Sequence, residues 1–246
     1  YQALVGEVDD ADIIYAGCKG TDAVIHCAME FSPTAGVIDS TAVRNMIDAN
    51  RGTLKPLVYS SGTWVFGDTK GRTAGEASAL HTPEFVRWRP AVEEMVINAK
   101  EVGISGVVLR PGRVFGCGGS FLAGMFKQAR EEKVIRIVGD GENHWSTIHV
   151  DDLAELYLHA VTRPAAGEVF IATGGMPCQV KRIAAEVAAR FGPDVTVKTT
   201  PVGLAAAQMG PVAGCLAMDQ KVASSKAARF YGWAVRQPSI IEFIRT

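Results

Sequence analysis

Leu57-Val58-Tyr59-Ser60-Ser61-Gly62-Thr63-Trp64-Val65-Phe66-Gly67 starts as an apolar strand and then breaks into hydroxylated and small residues. Short apolar runs bounded by turn residues are the pattern of strands buried on both faces of a parallel sheet. Two more such runs flank it in sequence, Ala23-Val24-Ile25-His26 before it and Val107-Val108-Leu109 after it. Between the three lie stretches with helical spacing: 39–49, with Ile38, Ala42, Val43, Met46 and Ile47 along one side, and 83–102, with Pro90 as a kink or restart. Strand and helix in alternation predict an α/β fold around a parallel sheet. Ligands of such sheets bind beyond the carboxyl ends of the strands. The residues that follow His26, Tyr59 and Leu109 are therefore expected to line one cleft.

The alternation continues in both directions. Residues 4–8 predict a short strand, with Asp9-Asp10 as helix-start residues. On the other side come a helix at 121–131, a strand at 135–138 ended by Gly139-Asp140-Gly141, and a helix from Asp151-Asp152 to about Val161. A strand at 169–171, a helix at 180–191 and short helical segments after Pro201 complete the chain. Proline and glycine cluster at 111–119 and 164–177. The second cluster divides a larger core, 1–165, from a smaller lobe, 166–246, which also draws on 115–145.

Composition removes several function classes. The 246 residues carry 25 basic and 26 acidic side chains, a net charge of −1, and are 48% hydrophobic and 21% charged. That is too apolar for a disordered chain and gives no positive field for bulk nucleic-acid binding. No apolar run approaches the ~18 residues of a membrane-spanning helix. The expected partner is a small-molecule substrate, with neither nucleic acid nor membrane. Cys18, Cys27, Cys117, Cys178 and Cys215 are widely spaced with no C-x-x-C, which predicts free thiols and a reducing, cytoplasmic setting. The five histidines offer no ligand spacing, so no metal is expected. His149 reads as a core histidine, and Asp151-Asp152 as acids at a helix N-terminus.

Five segments then carry a resemblance. They are Asp22-Ala23-Val24-Ile25-His26-Cys27-Ala28; Val58 to Gly67; Leu109-Arg110-Pro111-Gly112-Arg113-Val114-Phe115-Gly116; Ile148-His149-Val150-Asp151-Asp152-Leu153-Ala154; and Ser225-Lys226-Ala227-Ala228-Arg229 with Gly232-Trp233. In this order they resemble the extended short-chain dehydrogenase/reductases, the NAD-dependent epimerase/dehydratase family. The resemblance implies a Rossmann-like doubly wound parallel sheet binding NAD or NADP in 1–165, with a substrate lobe in 166–246. It implies that Cys27 and Ala28 lie along the dinucleotide, that Ser60 to Gly62 run beneath the nicotinamide ribose, and that Pro111 to Val114 pack near the nicotinamide. Gly6-Glu7-Val8 resembles the family's G-D-[LIV], which meets the adenine, with Glu7 one methylene longer than the usual Asp.

The family's catalytic set is where this chain departs. By the resemblance, its Tyr position falls on Phe85, its Lys position on Arg89, and its Ser/Thr position on Gly62, between Ser61 and Thr63. Phe85 has no transferable proton. Arg89 can hydrogen-bond a ribose but is a poor proton donor, because a guanidinium holds its proton too tightly. Two readings follow. One is an atypical NAD(P)-dependent oxidoreductase in which Thr63 or Ser61 holds the substrate oxygen and Glu30 or water supplies the proton. The other is a non-catalytic NAD(P)-binding sensor; a structural subunit is a third. The retained Ser60-Ser61-Gly62-Thr63 favours the enzyme.

Pro111-Gly112 stands where sugar-nucleotide members carry an Asn, which favours a small or apolar carbonyl or hydroxyl substrate over a sugar-nucleotide epimerase or dehydratase reaction. Trp64, Phe115 and His144 are the expected substrate contacts, with Phe121 and Trp145 nearby. A homodimer through the helices at 38–49 and 84–103 is a further expectation. The family's first βαβ unit and its G-x-x-G-x-x-G phosphate cradle are expected upstream of Tyr1, since none of the 26 glycines forms that fingerprint after a strand.

Overall fold

The computed structural model describes residues 2–246. Its centre is a four-stranded parallel sheet in the order Val24–His26, Pro56–Ser60, Ser105–Pro111 and Glu168–Ala172. The register sets Ile25 beside Val58, Val58 beside Val107, and Leu109 beside Phe170. Alternate residues of these strands feed two separate cores. Leu57, Tyr59 and Val108 pack with Val43, Ile47, Val92 and Val96 from the helices Ala35–Ala49 and Arg89–Asn98. Val58, Val107 and Leu109 pack on the other face with Leu153, Leu156 and Ala160 of the helix Val150–Thr162. Covering both faces explains why these strands read as unbroken apolar runs rather than alternating ones. The result is the expected Rossmann-like α/β architecture.

A second core forms the lobe. The helices Ser120–Glu131 and Val180–Phe191 close over a parallel pair, Val134–Val138 with Thr196–Thr200. Ile135, Ile137, Trp145, Ile183, Val187, Leu216 and Ile244 fill it. The Thr196–Thr200 strand has no apolar run to betray it, because it is an exposed edge held by pairing alone.

Four expectations are corrected here. Residues 4–8 form no strand: among the described residues no neighbouring strand takes up their backbone groups, and Val5 is 92% exposed. The helix start that follows is as expected, the Asp10 carboxylate accepting from the Asp12 and Ile13 amides at 3.0 and 3.3 Å and capping Ala11–Cys18. The stretch 83–102 is a 3-10 turn, Glu84–Val86, then the helix Arg89–Asn98 with Pro90 in its first turn, then a second 3-10 turn, Ala99–Val102. Proline needs no amide partner in a first turn, so it restarts the helix there.

The boundary at 165 moves. Glu168–Ala172 completes the main sheet, and the Lys226–Tyr231 helix docks beneath it, Lys226 Nζ reaching Glu168 at 2.6 Å. Cross-strand pairing overrides the local Gly/Pro punctuation, and the second core draws its residues from 115–145, 178–217 and 240–244. Finally, the cap of Val150–Thr162 is His149, whose Nδ1 accepts from the Asp151 amide at 3.2 Å. Asp152 instead accepts from the Arg236 and Gln237 amides, tying the C-terminal segment to this helix.

No helix among the described residues is long and apolar enough to cross a membrane. No group of three His, Cys, Asp or Glu among them could hold a metal. Cys18, Cys178 and Cys215 are buried, and Cys27 and Cys117 are exposed, all as free thiols.

Candidate functional site

Beyond the carboxyl ends of the two central strands lies a cleft of about 250 Å³. Its floor comes from the stretch read first in the sequence. The Ser61 amide donates to the Leu109 carbonyl at 2.8 Å, carrying the sheet pairing one residue past Ser60. Gly62 then releases the chain into a 3-10 turn, Thr63–Phe66. This leaves Ser61 7% exposed on the cleft wall, with its hydroxyl oxygen buried and without a hydrogen-bond partner. Buried polar groups are normally satisfied, so this unpaired hydroxyl, on a residue that lines the cleft, stands out from the rest of the wall. Thr63 and Trp64 line the same wall, and Gln220 holds the turn by donating to the Thr63 carbonyl at 2.9 Å.

The opposite rim is the turn after Pro111. The Gly112 amide donates to the Ala172 carbonyl at 2.8 Å. A Cβ at Gly112 would stand 2.6 Å from the Ser146 carbonyl oxygen, so only glycine allows this close approach. Pro111, Val114 and Phe121 reach the cleft from that side.

Arg89 opens its helix and is 7% exposed. Its Nη1 donates to the Ser60 carbonyl at 2.6 Å, and its Nη2 lies 3.1 Å from the Met29 sulfur. Below it a buried ion pair, Arg110 Nη2 to Glu93 at 2.5 Å, ties the same helix to the strand Ser105–Pro111. The helix has little room to slide, and Arg89 is fixed with it.

On the sheet's other face, Ser60 donates to the Cys27 sulfur at 3.0 Å and shares a 2.5 Å hydrogen bond with the Tyr157 hydroxyl. Burial pushes the Tyr157 phenol above its ordinary range, which keeps it neutral. Near the first strand, the Asp39 carboxylate accepts from His26 at 2.8 Å, Tyr59 at 2.6 Å and Trp88 at 2.8 Å. Burial alone would raise this carboxyl. The three hydrogen bonds and the charge of His26 outweigh it and hold Asp39 below its ordinary value.

The sequence-predicted residues separate into groups. Ser61, Thr63, Trp64, Arg89, Pro111 and Val114 meet in the cleft. Ser60 and Cys27 touch one another beside it. Val8, Ala28 and Glu30 share a narrow neighbouring crevice with His26 and Trp88, so Glu30 is off the main cleft wall. Glu7 is exposed.

Two expected substrate contacts lie elsewhere. Phe115 is 3% exposed and edge-packed on His149 and Phe243, because its strand pairs Phe115 directly with His149 inside the lobe. His144 is bound through Nδ1 to Asp219 at 2.8 Å. Burial would raise the Asp219 carboxyl, but bonds from the His144 amide and ring and from the Gly71 amide hold it low. Phe85 stacks on Phe31 at 6.0 Å and meets Trp64 edge-on at 5.7 Å, an aromatic packing role. Sequence reasoning passed over Tyr157 and Met29, and included Arg113 only within the stretch Pro111 to Val114. The first two carry no local signal, while Arg113 sits inside a quoted motif.

The family model for the NAD dependent epimerase/dehydratase family matches residues 5–172. The chain belongs to this family. Within and around the epimerase/dehydratase family, it is 26% identical over 235 residues to an uncharacterized protein of Schizosaccharomyces pombe, covering 93% of this chain and 78% of that one. It is 22% identical over 205 residues to a 2-alkyl-3-oxoalkanoate reductase of Stenotrophomonas maltophilia, covering 76% of this chain and 62% of that one. In fold it is similar to the dTDP-glucose 4,6-dehydratase of Bacillus anthracis solved in complex with NAD, with a TM-score of 0.82 at 14% identity over 98% of this chain and 78% of that chain. Solved structures of this fold hold NAD or NADPH.

Proposed function

We propose that this protein is an NAD(P)-dependent reductase of a small or apolar ketone. The observation that carries the reading is the buried, unpartnered Ser61 hydroxyl at the floor of a cleft that Arg89 also lines. The residues present fit a nicotinamide nucleotide: Ser60, Arg89, Pro111 and Val114 would hold it, with Val8, Cys27 and Ala28 farther along the strand ends. Bound there, the nicotinamide supplies a hydride to a carbonyl carbon.

Ser61 and Thr63 hold the carbonyl oxygen and donate to it as negative charge develops, which is where fixed donors contribute most to rate. Arg89 orients rather than protonates, since it stays charged and its Nη1 is committed to the Ser60 carbonyl. With Phe85 in place of a phenol and Glu30 off the cleft, the proton comes from water. Val86, Trp64 and Phe121 on the walls favour an apolar substrate over a sugar nucleotide. The relative named as an oxoalkanoate reductase supports the same choice.

The test is to follow NADPH and NADH fluorescence with the purified protein across a panel of ketones and aldehydes. Oxidation with any of them supports a reductase. Binding with no oxidation across the panel overturns it in favour of a nucleotide sensor.

A further inference from the structure

Arg113 is a cation with no anion. Its guanidinium carbon lies 4.4 Å from the Trp145 ring centre, 4.9 Å from Trp64 and 5.4 Å from Phe121. Its Nη2 donates to the Cys215 carbonyl at 2.9 Å. Its Nε is buried without a partner. No carboxylate among the described residues forms an ion pair with it. Burial pulls the guanidinium down to about 9, a mark of how poorly this charge is solvated.

Aromatic faces stabilise a guanidinium from above and below. They do not answer its in-plane N–H groups, of which only Nη2 has a protein acceptor, and a half-buried charge is costly unless it is paired and hydrogen-bonded. Arg113 lines the same cleft as Ser61 and Thr63. Ser120 and Phe121 lead from there into a second cavity of about 560 Å³, bounded by Met125, Val138, Trp145 and Leu216.

We propose that Arg113 recognises a carboxylate on the substrate, so that the substrate is an oxo-acid whose apolar substituent fills the adjoining cavity. A carboxylate is the planar, two-oxygen acceptor that fits the edge of a guanidinium held flat between rings. A single guanidinium with open N–H groups suits one carboxylate better than a diphosphate. The oxo group rests on the reductase reading above; the recognition of the acid does not.

Trp64 and Trp145 stack on Arg113, so their fluorescence reports an anion binding there without any turnover. The experiment titrates the full chain with 3-hydroxyoctanoate and with its methyl ester. The expected result is at least tenfold tighter binding of the acid, with that preference lost in Arg113→Gln and partly retained in Arg113→Lys. Equal affinities in the wild type overturn the proposal, and this comparison stands even if a variant fails to fold. A preference that persists in Arg113→Gln but vanishes in Arg89→Gln also overturns it, because Arg89 is then the reader. If Arg113 were only a peg between lobes, Arg113→Gln would weaken acid and ester alike. Selective acid binding without NADPH oxidation by any ketone refutes the reductase and leaves the carboxylate site standing. Turnover of neutral ketones with no acid preference does the reverse.

Discussion

Single side chains in this molecule divide into those that hold the fold and those left open for a ligand, and the two respond differently to substitution. Ser61→Ala removes a hydroxyl that bonds to nothing. Its unfolding free energy is expected to stay within about 0.5 kcal/mol of wild type, while ketone reduction falls about 10²–10³-fold with the loss of one donor to the developing oxyanion. Differential scanning calorimetry beside steady-state kinetics separates the two. Asp39 is the opposite case. Asp39→Ala strands three donors, from His26, Tyr59 and Trp88, and is expected to cost about 3 kcal/mol or more, read as a lower urea midpoint. The Asp39 carboxyl is held below its ordinary 3.8 in the folded state. Its contribution is therefore fully present above that value and is lost as pH falls through the depressed one. Wild type is expected to lose stability more steeply than Asp39→Asn below about pH 4, which thermal melts at stepped pH would show.

At the scale of elements, the Arg89–Asn98 helix is the part that places Arg89, and it is fixed at two points. A Cβ on Gly106 would stand 1.9 Å from the Val96 carbonyl oxygen, so strand and helix touch backbone to backbone. The Glu93–Arg110 pair locks the same interface at 3% and 6% side-chain exposure. Removing one partner of a buried pair leaves the other charge unanswered, and Glu93→Ala is expected to cost about 3–5 kcal/mol. Chemical denaturation measures this, and a loss below about 1 kcal/mol would show the pair to be solvated. The central strands and most helices were legible because their periodicity survives in the sequence. Pro90 marked the restart in 83–102, but the 3-10 turns on either side of it were not legible, since the same apolar spacing serves an α-helix and a 3-10 turn.

For the whole molecule, a strap of buried hydrogen bonds couples sheet and lobe. Asn143 donates to the Leu216 and Met218 carbonyls, and the Trp145 indole also donates to Leu216. Ser146 donates to the Gln220 and Val222 carbonyls. Gln220, 2% exposed, donates back to the Thr63 and Gly67 carbonyls under the cleft. Gln220→Ala leaves those two carbonyls unpaired and is expected to cost about 1–3 kcal/mol. It should also speed amide exchange at 63–67 more than in the central strands. Uniform exchange in the variant would mean that the strap bears on global stability and not on the cleft floor.

The amino-acid order by itself determined the α/β class, the parallel sheet, the cleft side and the hydroxylated turn at 60–63, because each is written in local periodicity or in a strand's immediate end. What only the tertiary structure decided was which of those residues share one space. The Ser61 amide stays in the sheet while its hydroxyl is buried without a partner, because Gly62 then turns the chain away. Phe115 is buried because its strand pairs it with His149. Arg113 is left without a counter-ion because Trp64, Phe121 and Trp145, distant in the chain, close around it. Burial and the lack of a partner depend on neighbours brought from far along the chain, which no local pattern records.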